Sequence, residues 1–219
     1  MFPERVYGHH VARLHPALDV WKPVLARWAE IIEHHVEYYI RDGRPTDAPY
    51  WYNERASVST LAGAAWLTPG SLVLEEYRVE RISASQKSRW GRADLWFMTA
   101  KKEFVVEAKP VFPATPQDVQ RPVTQLLDEA CAQAECGNHE ECATRVGLVF
   151  VAPSIPPQDT VDDFLLKMAS ALDKCGPDLL AWTFPAKARR LTSTYPGHEG
   201  RIFPGVFMVG RLAGAAATT

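Results

Sequence analysis

The chain has 219 residues, 47% hydrophobic and 23% charged, with a formal net charge of −2. That balance describes an ordinary globular protein with one sizeable core; it excludes a disordered chain and a broadly basic nucleic-acid binder. No run of about eighteen apolar residues is present, which excludes a membrane-spanning helix, and four cysteines do not make a disulfide framework. The start Met1-Phe2-Pro3-Glu4-Arg5 lacks an apolar signal core, so a reducing cytoplasm is the expected setting.

Residues 17–41 carry Val20, Trp21, Val24, Leu25, Trp28, Ile31, Ile32, Tyr39 and Ile40 at three-to-four spacing. This predicts a long amphipathic helix, broken by Gly43, Pro45 and Pro49. A second, Ala-rich helix is expected over 53–67, with Asn53 as its cap and Pro69-Gly70 after it. Residues 71–82 read as a strand. Residues 93–99 and 103–109, rich in aromatic and aliphatic side chains, read as a hairpin. Pro110, Pro113 and Pro116 mark a loop before a helix over 117–135 and a buried strand over 146–151. A helix over 159–174 and strands over 179–184 and 206–209 complete the chain. Three regions are expected: a helical extension at 1–48 packed on the core, an α/β domain at 49–212 and a flexible Ala/Thr tail at 213–219.

The hairpin holds the chemistry. Asp94 opens one apolar run, and Glu107-Ala108-Lys109 closes the next. If Thr99 pairs with Lys102, Asp94 stands opposite Glu107. If Ala100 pairs with Glu103, it stands opposite Lys109. Opposed residues share a face and lie about 4.5–5.5 Å apart, so either register gathers these side chains. The turn lacks Asn-Gly or Asp-Gly, so its type stays open, and a three-residue loop would break the convergence. Taken alone, Glu-x-Lys is also a common exposed ion-pair pattern. Against that, Phe104-Val105-Val106 is a buried-type run that delivers Glu107 and Lys109 at its carboxyl end, where sites in α/β sheets collect. A carboxylate at the edge of a core is costly unless paired or metal-bound.

With these residues in this element order, the chain resembles the PD-(D/E)xK nuclease superfamily, the restriction-endonuclease-like fold. The resemblance covers about residues 50–152. Its αβββαβ core carries an acidic residue at the start of the second strand and a Glu/Asp-x-Lys in the third, often with a Glu on the first helix. Asp94, Glu107-Ala108-Lys109 and Glu54 stand at those places; Ala93 departs from the Pro the family usually shows before the acidic residue. The resemblance implies a mixed central sheet flanked by helices, here behind an extra N-terminal helix. It also implies a Mg²⁺- or Mn²⁺-dependent nuclease hydrolysing DNA, in defence, restriction or repair. Asp94, Glu107 and the Ala108 carbonyl would hold the ion. Lys109 would orient or deprotonate the attacking water, or stabilise the pentavalent phosphorane. Glu54 would hold a metal water or a second ion; otherwise it is an exposed first-turn Glu favoured by the helix dipole. Glu75 and Glu76 are alternative acidic partners. Gln125 is an auxiliary candidate, since the RecB-like group carries a Gln on that helix; Glu129 stands where that group has Tyr, and an exposed helix glutamine is the simpler account.

Phosphate contacts need positive charge, and residues 78–92 hold Arg78, Arg81, Lys87, Arg89 and Arg92 against Glu80. Residues 83–91 read as a polar loop containing Trp90, so Lys87, Arg89, Trp90 and Arg92 are candidate nucleic-acid contacts, or simply a solvated loop. A second basic stretch runs from Lys187 through Arg189, Arg190 and His198 to Arg201. Cys131, Cys136, His139 and Cys142 lack a Cys-x-x-Cys knuckle and read as incidental. His34 and His35 read as helix-surface or satisfied interface residues. DNA is the expected partner, with RNA as an alternative. A homodimer or a nuclease subunit of a larger system, with no membrane, is the expected context. The competing function on the same fold is a non-catalytic DNA-binding or protein-interaction module.

Overall fold

Buried-type runs in the second half of the chain put strands at the centre of the molecule. A computed structural model describes residues 6–82, 88–137, 143–194 and 198–214, and all side chains among them except Ile82, Ser88 and Arg89. The elements follow in chain order: β1 (Gly8–Leu14), α1 (Lys22–Tyr38), β2 (Ile40–Arg41), β3 (Arg44–Pro45), α2 (Glu54–Trp66), β4 (Leu72–Ile82), β5 (Ser88–Thr99) and β6 (Lys102–Val111). After them come α3 (Gln120–Cys136), β7 (Thr144–Val151), α4 (Val161–Asp173), β8 (Leu179–Phe184) and β9 (Val206–Leu212). Seven strands form one mixed sheet in the order β1-β8-β9-β7-β6-β5-β4, and β2 with β3 makes a small separate ribbon. The β6–β7 pairing is parallel; the other pairings are antiparallel.

Helices cover both faces of the sheet. One layer of core joins Trp21, Leu25, Trp28 and Ile32 with Leu61 and Ala65 of α2 and with Leu95, Phe97, Phe104 and Val106. Trp21 meets Phe97 and Phe104 with ring centroids 5.0 and 5.4 Å apart. The other layer joins Val123 and Leu127 of α3, Phe164, Leu165 and Met168 of α4, and Val149, Val151, Trp182 and Phe207. Covering on both sides explains why β7 and β8 read as unbroken apolar runs instead of alternating ones. Full burial of each large apolar side chain stabilises the fold by about 1.5–3 kcal/mol.

Several elements differ from their sequence reading. The helix expected over 17–41 is a 3₁₀ turn at Pro16–Trp21 followed by α1, with Pro23 in its first turn, and Ile40 lies in β2. Gly8–Leu14 is an edge strand on β8, not part of a helical stretch. Its side chains are exposed or half-buried throughout, so it carries no apolar alternation to read. The polar loop expected over 83–91 is shorter, because β5 begins at Ser88 and pairs with β4 out to Ile82. This ribbon is held by backbone bonds, and its polar residues gave no strand signal. Residues 83–87, including Lys87, lie outside the described residues, as do His139 and Cys142 and positions 215–219 of the expected tail. Among the described residues no helix is long and apolar enough to cross a membrane.

Candidate functional site

A fork in the sheet builds the site. Of the two registers left open by the sequence, the structure has Thr99 opposite Lys102, with pairing running up to Leu95 opposite Val106. Ala100 and Lys101 both have positive φ, 47° and 62°, as a two-residue type I′ turn requires. The next step would set Asp94 level with Glu107, and there the β5–β6 ladder stops. Beyond it β5 stays with β4, while β6 stays with β7 out to Val111.

The fork leaves backbone groups to be satisfied, and Asp94 does so: its Oδ2 accepts from the Ala108 N–H at 2.8 Å. Opposite Asp94 on the β4 side stands Glu76, whose backbone is left-handed at φ 49° and which drops out of the β4–β5 register. Non-glycine residues in that region cost on the order of 1–3 kcal/mol and cluster at functional sites. Glu76 pairs with Arg55 at 3.1 Å and Arg92 at 3.3 Å, while Glu75 turns to Ser59 Oγ at 2.9 Å.

Glu107 is 2% exposed in the middle of a buried strand. Arg81 Nη2 meets its Oε1 at 2.7 Å and also donates to the Arg92 carbonyl. Gly91 makes room for this arginine, since a Cβ there would lie 2.8 Å from Arg81 Nε. Lys109 Nζ donates to the Ala108 carbonyl at 2.9 Å and lies 3.6 Å from Glu54 Oε2. Glu54 opens α2, whose cap is Asn53 Oδ1 accepting from the Ala56 N–H at 3.0 Å. The structure therefore brings Asp94, Glu107, Lys109 and Glu54 together, places the alternative acidic partner Glu76 beside them, and adds Arg81.

Charge at the fork is unbalanced. Burial, reinforced by Asp94, pushes the Glu107 carboxyl up to about 7, although Arg81 and Lys109 oppose the shift. Burial likewise raises Asp94, against the pull of the Ala108 N–H and Lys109. Glu54 is raised by burial, with Lys109 opposing and Asp94 adding to the rise. Three carboxyls that remain raised beside two cations mark a place short of positive charge. Among the described residues no three imidazole, thiolate or carboxylate groups form a metal cage of their own. Mg²⁺ does not need one: it keeps several waters and is held by one or two carboxylates plus substrate oxygens. Asp94 and Glu107 each have one oxygen outside the hydrogen bonds described above, so the donor set fits a hard, partly hydrated divalent ion.

The remaining candidates divide. Trp90 lies on β5, 62% exposed, with the Arg78 guanidinium 4.3 Å from its ring centroid. Arg92 points to Glu76. The Arg89 side chain lies outside the described residues. Gln125 is exposed on α3 and bonded to Glu129 at 2.9 Å, which shows it as a surface glutamine. In the second basic stretch Lys187 pairs with Glu37 and Arg189 with Asp162. His35 meets Asp47 at 3.2 Å, a carboxylate partner that the local sequence pattern did not reveal. Within the basic stretch the sequence does not single out Arg81 for the site; its two-residue spacing from buried Val79 is the signal for an inward position. No family model matches this chain, and neither does any curated protein or solved structure.

Proposed function

We propose that the fork is the catalytic centre of a divalent-metal-dependent nuclease acting on DNA. The observation that carries the reading is the convergence of Asp94, Glu107 and Glu54 with Lys109, the three carboxyls held above the ordinary range by burial. The element order α2-β4-β5-β6-α3-β7 supports a restriction-endonuclease-like core, because it is αβββαβ with the acidic residue and the Glu-x-Lys on its second and third strands.

Each residue then has a task. Asp94 and Glu107 would hold the ion, with the Ala108 carbonyl within reach of the same place. Bound there, Mg²⁺ supplies Lewis acidity to the scissile phosphate and to the attacking water. Lys109 orients that water or donates to the phosphate oxygens; Glu54 keeps the ammonium in place across 3.6 Å. Arg81 holds Glu107 in one rotamer and limits the charge that the buried carboxyl must carry alone. Trp90 and the neighbouring arginines stand on the exposed ribbon that leads from the fork, where a polyanionic strand would lie.

The Arg81–Glu107 pair favours one competitor, a non-catalytic module in which the arginine takes the place of an ion. Incubating the protein with plasmid and single-stranded DNA in Mg²⁺, Mn²⁺ and EDTA separates the two. Cleavage in either metal, absent in EDTA and lost in Lys109→Ala and Asp94→Ala, is the expected result. Absence of metal-dependent cleavage on every substrate favours the module, and cleavage surviving both substitutions removes the assignment of the site.

A further inference from the structure

At the end of α2 that carries Glu54 lies a cavity of about 190 Å³ whose walls are mostly rings: Trp51, Tyr52, Phe112, His198 and Phe203. We infer that this cavity receives an unstacked nucleobase next to the scissile phosphate, which makes single-stranded or locally unpaired DNA the substrate. The inference rests on the nuclease reading and names the substrate class of that same site.

Position comes first. Asn53 lines the cavity and immediately precedes Glu54, the partner of Lys109. Phe112 stands one residue past the end of β6 at Val111 and three residues after Lys109, about 10 Å along the chain. A strand with its phosphate at Lys109 thus has its flanking nucleoside within reach of the rings. Size comes next. Pockets for drug-sized ligands run from about 300 Å³ upward, so this one suits a single planar ring system and not a stacked pair.

The rings are also fixed in place. Asp47 Oδ1 accepts from Trp51 Nε1 at 3.1 Å and from the Tyr52 hydroxyl at 2.7 Å, while His35 holds Oδ2 at 3.2 Å. One carboxylate therefore ties the polar ends of two aromatic side chains and leaves their faces to pack. Trp51 lies edge-on to Tyr52 and to Phe203, at 6.2 and 6.0 Å between centroids. His198 sits between Phe112 and Phe203, at 6.5 and 5.8 Å, and its Nδ1 faces Ser154 Oγ at 3.5 Å. Asn53, Ser193 and His198 add hydrogen-bonding edges to a lining that otherwise offers π-faces. Stacking on such faces tolerates any base, because every base has one. A base inside a duplex is already stacked and enters only by being flipped out at a cost of about a few kcal/mol, which an unpaired strand avoids.

The test uses short single-stranded DNA oligonucleotides, each with one abasic site, the site stepped along the strand. Affinity is measured for the full chain with Ca²⁺ in place of Mg²⁺, for wild type, Tyr52→Ala and Trp51→Phe. Tyr52 is 51% exposed, so its truncation leaves the core intact. Wild type should bind one member of the series about 5- to 150-fold more weakly than the others, the value of one stacked base. Tyr52→Ala should bind the whole series evenly, and Trp51→Phe should retain part of the position dependence. Uniform wild-type affinity, or the same position dependence in Tyr52→Ala, overturns the base pocket. Cleavage of the same oligonucleotides in Mg²⁺ tells the two claims apart. Metal-dependent cleavage indifferent to every abasic site removes the pocket and leaves the nuclease. Position-dependent binding without cleavage removes the hydrolysis and leaves the pocket.

Discussion

Glu107 carries the sharpest consequence at the scale of single residues. Burial sets its carboxyl at about 7 in the fold against 4.5 for an unperturbed group. The folded value is the higher one, so the native state keeps a proton that the unfolded chain has released. Stability from the protonated form is full below about 4.5 and is lost as pH rises through about 7. In EDTA, Glu107→Gln should therefore be more stable than wild type at about pH 8, by on the order of 3 kcal/mol, with the difference gone near pH 4. Denaturant unfolding at the two pH values checks this, and equal stability at pH 8 contradicts it. For Lys109→Ala the expected loss is about 10²- to 10⁴-fold in cleavage rate with DNA affinity little changed, read by single-turnover kinetics. The residues of the motif were legible because Asp94 and Glu107-Ala108-Lys109 are close in sequence. Glu76 was legible as an alternative acidic partner; the roles of Arg81 and Asp47 were not, since they come from partners that only the folded sheet and loops supply.

At the scale of elements, the hairpin turn decides the register and so the site. Ala100 and Lys101 adopt left-handed backbone without the Asn-Gly that suits it. Replacing them together, Ala100→Asn with Lys101→Gly, should stabilise the protein by about 1 kcal/mol without altering cleavage. A loss of stability would mean another turn and another register. The β7–α3 contact makes a second expectation. A Cβ on Gly147 would lie 2.7 Å from the Cys131 backbone nitrogen and 2.7 Å from its Sγ. Gly147→Ala should cost about 1–3 kcal/mol through forced separation of helix and strand, visible in the denaturation midpoint. Buried strands such as β7 and β8 announce themselves by composition. Exposed ones such as β1 and residues 90–92 of β5 do not, because backbone pairing instead of apolar burial holds them.

The whole molecule joins its two ends through one sheet. Trp182 Nε1 donates to the Val6 carbonyl at 3.1 Å, and β1 covers the open edge of β8. Removing residues 1–14 should uncover that edge and lower stability by at least about 2 kcal/mol, the burial of one aliphatic side chain before any loss of pairing. An unchanged melting temperature would show β1 to be dispensable. With a net charge of −2 the molecule has no general attraction for a polyanion, so on the proposed reading binding of a phosphodiester must be local, to the fork with its ion and to the exposed arginines and rings around it. Whether the fork takes a divalent ion is therefore the question on which everything else turns. Titrating Mn²⁺ into the DNA-free protein and counting bound ion by electron paramagnetic resonance tests it most directly. The account predicts saturable binding that tightens as pH rises through about 7, while Glu107 gives up its proton, and that is lost in Asp94→Asn. Binding that is absent at millimolar Mn²⁺, or is unchanged in Asp94→Asn, would contradict it.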